Sequence, residues 1–368
     1  MKRVLFPLLV LVGCVRVSRP ETHTRPGLVG IVTEEQSHTT ALLQAVSTVD
    51  DSVVWVSGHH ATWVRTVDSG RTWVAGAMTG ADSALEFRDV HAASATTAYL
   101  LAAGPGEQSR IYKTTDAGRS WQFQFINRDS AAFYDCFDFW DATHGIAVSD
   151  AVRGKMMVIR TDDGENWSAI GGDGMPQALS GEGSPAAGGT CLIVRGHARA
   201  WFGTEPHARV YATDDRGDHW IAVKTPIVTG EASGVATLAF HDEQHGMALG
   251  GRLLKADDRS DSVAAVTNDG GATWVPVSRP TFSGAVYGAA VIPGMASTVV
   301  AAGPSGLDWT RNDGRTWTNL SASAYWAVDC TSRRVCWAVG PGGRITSVTF
   351  GPTAVVQRPE QRVGQLLP

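Results

Sequence analysis

Apolar residues along this chain fall into short runs, four to nine residues long, and the runs come in pairs. The pairs are 42–49 with 53–57, 87–92 with 98–103, 132–140 with 145–149, 190–194 with 200–203, 235–240 with 246–250, and 285–292 with 297–302. Turn-forming residues separate the runs, and each run has the length of a β-strand. After every pair comes a polar octapeptide ending in tryptophan. Each unit therefore reads as four short antiparallel strands, A to D, with the octapeptide as the C–D turn. A seventh set, 325–330, 335–340 and 344–350, gives three strands and no octapeptide. The apolar stretch 28–34 is placed to supply its missing strand, which would close the array and cover a sheet edge.

The octapeptides are Thr66 to Trp73, Thr114 to Trp121 and Thr267 to Trp274, with weaker copies ending at Trp167, Trp220 and Trp317. The acid five before the tryptophan is Asp68, Asp116, Asp162, Asp215 or Asp269, and Asn312 in the last copy. The tryptophans are 48, 46, 53, 54 and 43 residues apart. A repeat of this order marks a solenoid, a propeller or an array. The carboxylate is suited to accept backbone N–H bonds within the turn. The glycine three before each tryptophan takes a conformation that a side chain disfavours. The tryptophan is expected to bury its ring against the strand pair.

These octapeptides resemble the Asp-box, or BNR, repeat of sialidases, sortilin-type receptors and the photosystem II assembly-factor family. The resemblance covers roughly residues 28 to 350. It implies an all-β, seven-bladed β-propeller of four-stranded antiparallel blades, with the last blade closed by the N-terminal strand. It also implies a binding or scaffold role in building a membrane-associated complex. In those families the motif lies at the blade periphery, so it speaks for fold and not for activity.

Of the 368 residues, 18% are charged, below the usual ~25%. The net charge of −5 gives no reason to expect nucleic acid. Met1-Lys2-Arg3 followed by an apolar stretch reads as an export signal. Leu11-Val12-Gly13-Cys14 resembles the lipobox of bacterial lipoproteins. The expected organisation is a signal at 1–13, lipidated Cys14, a tether at 14–27, the propeller at 28–350 and a tail at 351–368. This places a monomer in the cell envelope, periplasmic or facing the outer membrane, and held by lipid alone. Export permits disulfides. Cys330 and Cys336 flank a hairpin loop, while Cys136 and Cys191 hold matching positions in units three and four. No cofactor or metal is expected. His241-Asp242-Glu243-Gln244-His245 aligns with Trp140 to His144 as a repeated turn.

Binding residues concentrate on loops held by a rigid scaffold. In a propeller the B–C loops and D–A linkers share one face. Candidates there are His59, His60, Arg110, Asp150, Arg153, Glu205, His207, Arg209 and Arg252 in the B–C loops, and Glu182 in the long linker 171–189. They would contact a protein partner or an extracytoplasmic ligand. The alternative is a sialidase-like glycoside hydrolase, whose chemistry pairs a Tyr nucleophile with a Glu. Tyr134, Tyr287 and Tyr325 open A strands, with Glu182 and Glu231 on that side, but the family's Arg-Ile-Pro signature is absent.

Overall fold

A computed structural model describes residues 28–352 apart from Arg333. They comprise a ring, Gly30–Phe350, and the flanking Leu28, Val29, Gly351 and Pro352. The signal, Cys14, the tether and all but the first two residues of the tail lie outside the described residues.

Seven four-stranded sheets form the seven blades of a β-propeller. Their A strands are Leu43–Thr48, Phe87–Ala92, Tyr134–Phe139, Leu192–Arg195, Ser233–Phe240, Gly288–Val291 and Ala327–Cys330. Six blades are built in chain order. The seventh runs Leu28–Glu35, Ile345–Pro352, Val335–Val339, Ala327–Cys330, so the N-terminal strand takes the place beside the last. Several A strands begin later than the apolar runs suggest, among them those of blades 4, 6 and 7. There one leading residue bonds to a neighbouring blade, while the next still bonds to its own B strand. Thr190 O accepts Leu238 N at 2.9 Å, Val286 N donates to Gly250 O at 2.9 Å, and Tyr325 N to Gly303 O at 3.0 Å.

The octapeptide hairpins share one hydrogen-bond plan. In the first, Asp68 Oδ1 accepts Thr72 N at 2.9 Å and Oδ2 accepts the Thr72 hydroxyl at 2.6 Å. The Thr66 hydroxyl accepts Gly70 N at 3.0 Å. Asp116, Asp215 and Asp269 repeat this, with His219 Nδ1 replacing the hydroxyl at Asp215. Asn312 Oδ1 accepts Thr316 N at 2.9 Å, and its amide donates to the Thr316 hydroxyl. The third hairpin corrects the expectation for Asp162. Its turn is one residue shorter, so Asp163 accepts Glu165 N and Asn166 N, both at 2.8 Å. Asp162 is exposed and pairs instead with Arg160 at 3.3 Å.

The hairpin tryptophans pack across blade boundaries, not only on their own strand pair. Trp73 meets Trp337 of blade 7 with ring centroids 5.3 Å apart, and Trp121 meets Trp55 of blade 1 at 6.1 Å. Trp167, Trp220, Trp274 and Trp317 join clusters that mix their own blade with the one before. The hairpin glycine serves the same boundary. Gly70 has φ +80°, and a Cβ there would lie 2.3 Å from the Trp337 ring. Each such interface buries large aromatic area, the dominant apolar contribution to holding blades together.

Around the channel, short side chains tie one A strand to the next. Asp329 accepts Thr48 N at 2.8 Å and its hydroxyl at 2.6 Å, which joins blade 7 to blade 1. Ser47 Oγ accepts Ala92 N at 3.0 Å, and Asp138 accepts Val194 N at 3.0 Å. His91 occupies that position in blade 2, and Asp89 two residues earlier accepts Phe137 N at 2.9 Å instead. Cys136 and Cys191 are joined, linking blades 3 and 4 with Cα atoms 6.1 Å apart. Cys330 and Cys336 are joined across their hairpin at 4.1 Å.

Candidate functional site

Strand A carries one extra residue near its start in four blades. The register shifts between Leu43 and Ala45, Phe87 and Asp89, Tyr134 and Cys136, and Val235 and Thr237. The extra residues are Gln44, Arg88, Asp135 and Ala236. A bulge re-aims the side chain it carries. Gln44, Asp135 and Ala236 are buried at that end of the channel, where the B–C loops emerge.

The linker 171–189 crosses the same end. Gly183 exchanges two 2.9 Å backbone bonds with Glu205, and Ala151 N donates to Glu182 O. Residues 182–188 are all buried. Ala187 packs with Ala236, Ala285, Tyr287 and Trp326 from blades 5, 6 and 7. A Cβ on Gly188 would meet Tyr287 O at 2.5 Å and Trp326 O at 2.7 Å. One on Gly189 would meet Asp89 at 2.7 Å and Ala45 at 3.1 Å. Two glycines thus let the backbone pass between blades 6 and 7 on one side and 1 and 2 on the other, stopping the channel.

Under this linker lie two sets of acids with opposite surroundings. Glu182 is fully engaged: Arg209 grips its carboxylate, Thr204 donates to it at 2.8 Å, and so does Leu179 N at 2.8 Å. Burial pushes its carboxyl up, but the Arg209 bonds and these donors hold it below the usual range. Tyr211 OH lies 3.2 Å from the same carboxylate. This is the Tyr–Glu pair a sialidase-like site asks for, yet Tyr211 is 0% exposed and stacked on Phe202. Asp135, Asp150 and Glu205 are the other set. Asp135 is 2% exposed and its Oδ2 has no hydrogen-bond partner; nor has Glu205 Oε2. Asp150 accepts Ser184 N at 3.0 Å. Burial, then the Asp150 charge, pushes the Asp135 carboxyl well up, with Arg88 opposing; burial and Asp150 raise Glu205 likewise. Burial pushes Asp150 up to about 6.

The opposite end of the channel is open. A cavity of about 350 Å³ is walled by A-strand residues of all seven blades and floored by Gly189 and Thr190. It opens where strands A lead into B, on the face away from the B–C loops. Its acids are Asp89, Asp138 and Asp329, whose oxygens already accept the backbone bonds described above. His91 Nδ1 lies 3.5 Å from Asp138. Arg195 reaches from blade 4 to Phe240 O of blade 5 at 3.0 Å.

Of the residues expected to form a ligand face, the structure gathers Asp150, Glu182, Glu205, His207 and Arg209 around the linker, with His207 Nε2 2.9 Å from Ser180 O. Glu182 and Arg209 are bound to each other and so are not presented to a ligand. The rest stand apart. His59 lies 3.6 Å from Glu86 beside the exposed His60, Arg110 pairs with Asp82 at 2.6 Å, and Arg252 lies 3.6 Å from Asp258. Arg153 is 84% exposed at its side chain and 3.5 Å from Asp129. Of the three tyrosines, only Tyr134 begins an A strand, and burial pushes its hydroxyl up to about 12. Tyr287 and Tyr325 precede theirs, and Tyr287 OH donates to Leu253 O at 2.7 Å. The turns at 141–144 and 242–245 share the same Asp-to-backbone bonds, each His Nδ1 sitting 2.9 Å from its Asp. Sequence reasoning missed Asp135 and the cavity. An acid inside an apolar run of strand A was the available signal for Asp135; nothing local announces the cavity.

No family model and no curated protein matches the sequence. Solved structures do match. The chain is similar to YCF48 bound to D1 peptide, at 16% identity over 89% of this chain and 99% of that one, with a TM-score of 0.60. It is similar to YCF48 from Cyanidioschyzon merolae, at 14% identity over 86% and 98%, with a TM-score of 0.62. It is also similar to a streptogramin B lyase, at 10% identity over 88% and 98%, with a TM-score of 0.63. At such identities the likeness speaks for the propeller alone.

Proposed function

We propose that this chain is a non-catalytic binding propeller that holds a segment of a protein partner, as an assembly scaffold at a membrane of the cell envelope. The blind cavity carries this reading. At about 350 Å³ it lies at the small end of the ~300–1,000 Å³ usual for ligand pockets. That is room for a chain end or loop tip and not for a folded domain. The acids on its wall are tied into the scaffold by backbone bonds, and the buried Tyr211–Glu182 pair is held by Arg209. The similar propeller bound to D1 peptide lends support by analogy. Export and the lipid on Cys14 belong to the same proposal and rest on the N-terminal sequence.

A photo-crosslinking residue in place of Thr331, on the cavity wall, tests it in the native host. The expected result is one discrete protein adduct. Turnover of a fluorogenic glycoside by the purified chain would overturn the binding reading in favour of a hydrolase. Mass spectrometry of the native N-terminus should find a lipidated Cys14, and an unmodified start beyond it would refute the anchor.

A further inference from the structure

Asp135, Asp150 and Glu205 have no part in the cavity, and the fold alone does not account for them. They come from three separate places: the bulge in strand A of blade 3, a second irregularity in strand B of the same blade, where the register shifts between Ser149 and Ala151, and the B–C loop of blade 4. Native proteins pair nearly all of their buried polar atoms, and an orphaned carboxylate oxygen points to something that supplies positive charge. Two such oxygens stand here, Asp135 Oδ2 and Glu205 Oε2. The positive side chain nearest to Asp135 is engaged elsewhere, since Arg88 binds Glu86 at 2.6 Å.

The donor set selects the ligand. All three side chains offer only carboxylate oxygen, the preference of hard cations. One of the three sits on a loop and two at strand bulges, and the linker above them contributes backbone groups. That irregular, adjustable arrangement suits calcium, which accepts six to eight oxygens in flexible geometry, better than magnesium, which demands a near-ideal octahedron. Among the described residues no three acidic, histidine or cysteine side chains already converge on one point. Binding must therefore draw the loop-borne Glu205, and Asp150 at its strand bulge, toward Asp135.

We propose that Asp135, Asp150 and Glu205 form a site for a hard divalent cation of the calcium class. The cation locks the linker 171–189 across the channel mouth, because Asp150 holds Ser184 N and Glu205 holds Gly183 by two backbone bonds. The site is separate from the cavity and stands or falls independently of the binding reading. Its affinity should be that of extracellular calcium modules, about 10⁻⁴ to 10⁻³ M.

The full exported chain, stripped with chelator, should melt several degrees higher when millimolar calcium is restored, and magnesium should do far less. Terbium should show saturable luminescence that calcium displaces. Asp135→Asn should abolish both responses while raising the cation-free melting temperature, because an amide is buried without the cost of first neutralising a carboxylate. Glu205→Gln, on a half-buried loop, should weaken calcium by about tenfold or more through loss of ligand charge. It carries the test should the first variant fail to fold. Melting that is indifferent to calcium in the parent chain overturns the proposal. So does a calcium response that Asp135→Asn, or Glu205→Gln in its place, leaves unchanged, or an equal response to magnesium.

Discussion

Asp68, Asp116 and Asp269 lie at the rim of the propeller with both carboxylate oxygens bonded, while Asp135 and Glu205 lie at the closed channel mouth with oxygens unpaired. The Ser120 hydroxyl, helped by its backbone N–H, draws Asp116 down to about 2. Burial drives Asp135 the other way. The rim acids stabilise a turn that any propeller of this type could use. The mouth acids stabilise nothing visible and cost desolvation. The same side chain thus marks structure where it is satisfied in water and a candidate site where it is buried and unsatisfied. Asp89 and Asp329 fall between, buried but fully bonded, and act as staples.

Four measurements sharpen or break this contrast. The largest effect concerns the frame of the mouth. Cys136–Cys191 spans 55 residues and Cys330–Cys336 spans 6. Loop-closure entropy makes their removal cost about 4 and about 2 kcal/mol respectively. Chemical denaturation of the two Cys→Ser pairs reads this, and a reversed order would argue against a frame at blades 3 and 4. Next, Asp329→Ala strips the bonds from Thr48 and Cys330 and should cost about 3 kcal/mol, as expected for a buried charged acceptor. Asp269→Ala at the rim should cost about 1 kcal/mol, like loss of a capping residue. Equal costs would erase the distinction between staple and turn.

The third measurement is the pH profile of melting. Rim carboxyls are lowered on folding, so they contribute stability above the ordinary carboxylate range, and it is lost as pH falls from about 4 toward about 2. Burial raises Asp89 and Asp329, so folding favours their protonated forms. Their contribution is present at low pH and declines as pH rises through and above the ordinary carboxylate range. Melting should therefore peak in mild acid, and Asp329→Asn should flatten the descent above the peak. A profile that climbs steadily to neutrality would contradict the raised inner acids. The smallest effect separates neighbours: Asp163→Ala should lower the melting temperature, whereas Asp162→Ala should leave it unchanged within error.

Paired apolar runs, six tryptophan hairpins and the leftover stretch at 28–34 made seven blades legible, because strand length and turn chemistry are local properties. The hairpin at Trp167 was read one residue out. Two adjacent aspartates there are equivalent in composition, and only the backbone path of a shortened turn selects Asp163. Cys136 and Cys191 were readable as matching repeat positions, and Cys330 and Cys336 as the two sides of one hairpin. The expected ligand face does not form as one surface. Loop residues around 150, 182 and 205 do assemble, but Glu182 and Arg209 neutralise each other, and the open cavity faces the other way.

The sequence by itself determined the repeat, the blade count and the hairpin chemistry, since each depends on residues a few positions apart. Only the tertiary structure decided that the linker 171–189 stops the channel and that Asp135 is left without a donor. Both follow from blades far apart in the chain meeting around one axis. Gly188 and Gly189 fit there only because blades 1, 2, 6 and 7 converge on them. Asp135 is stranded because Arg88, the cation from the neighbouring blade, is turned to Glu86.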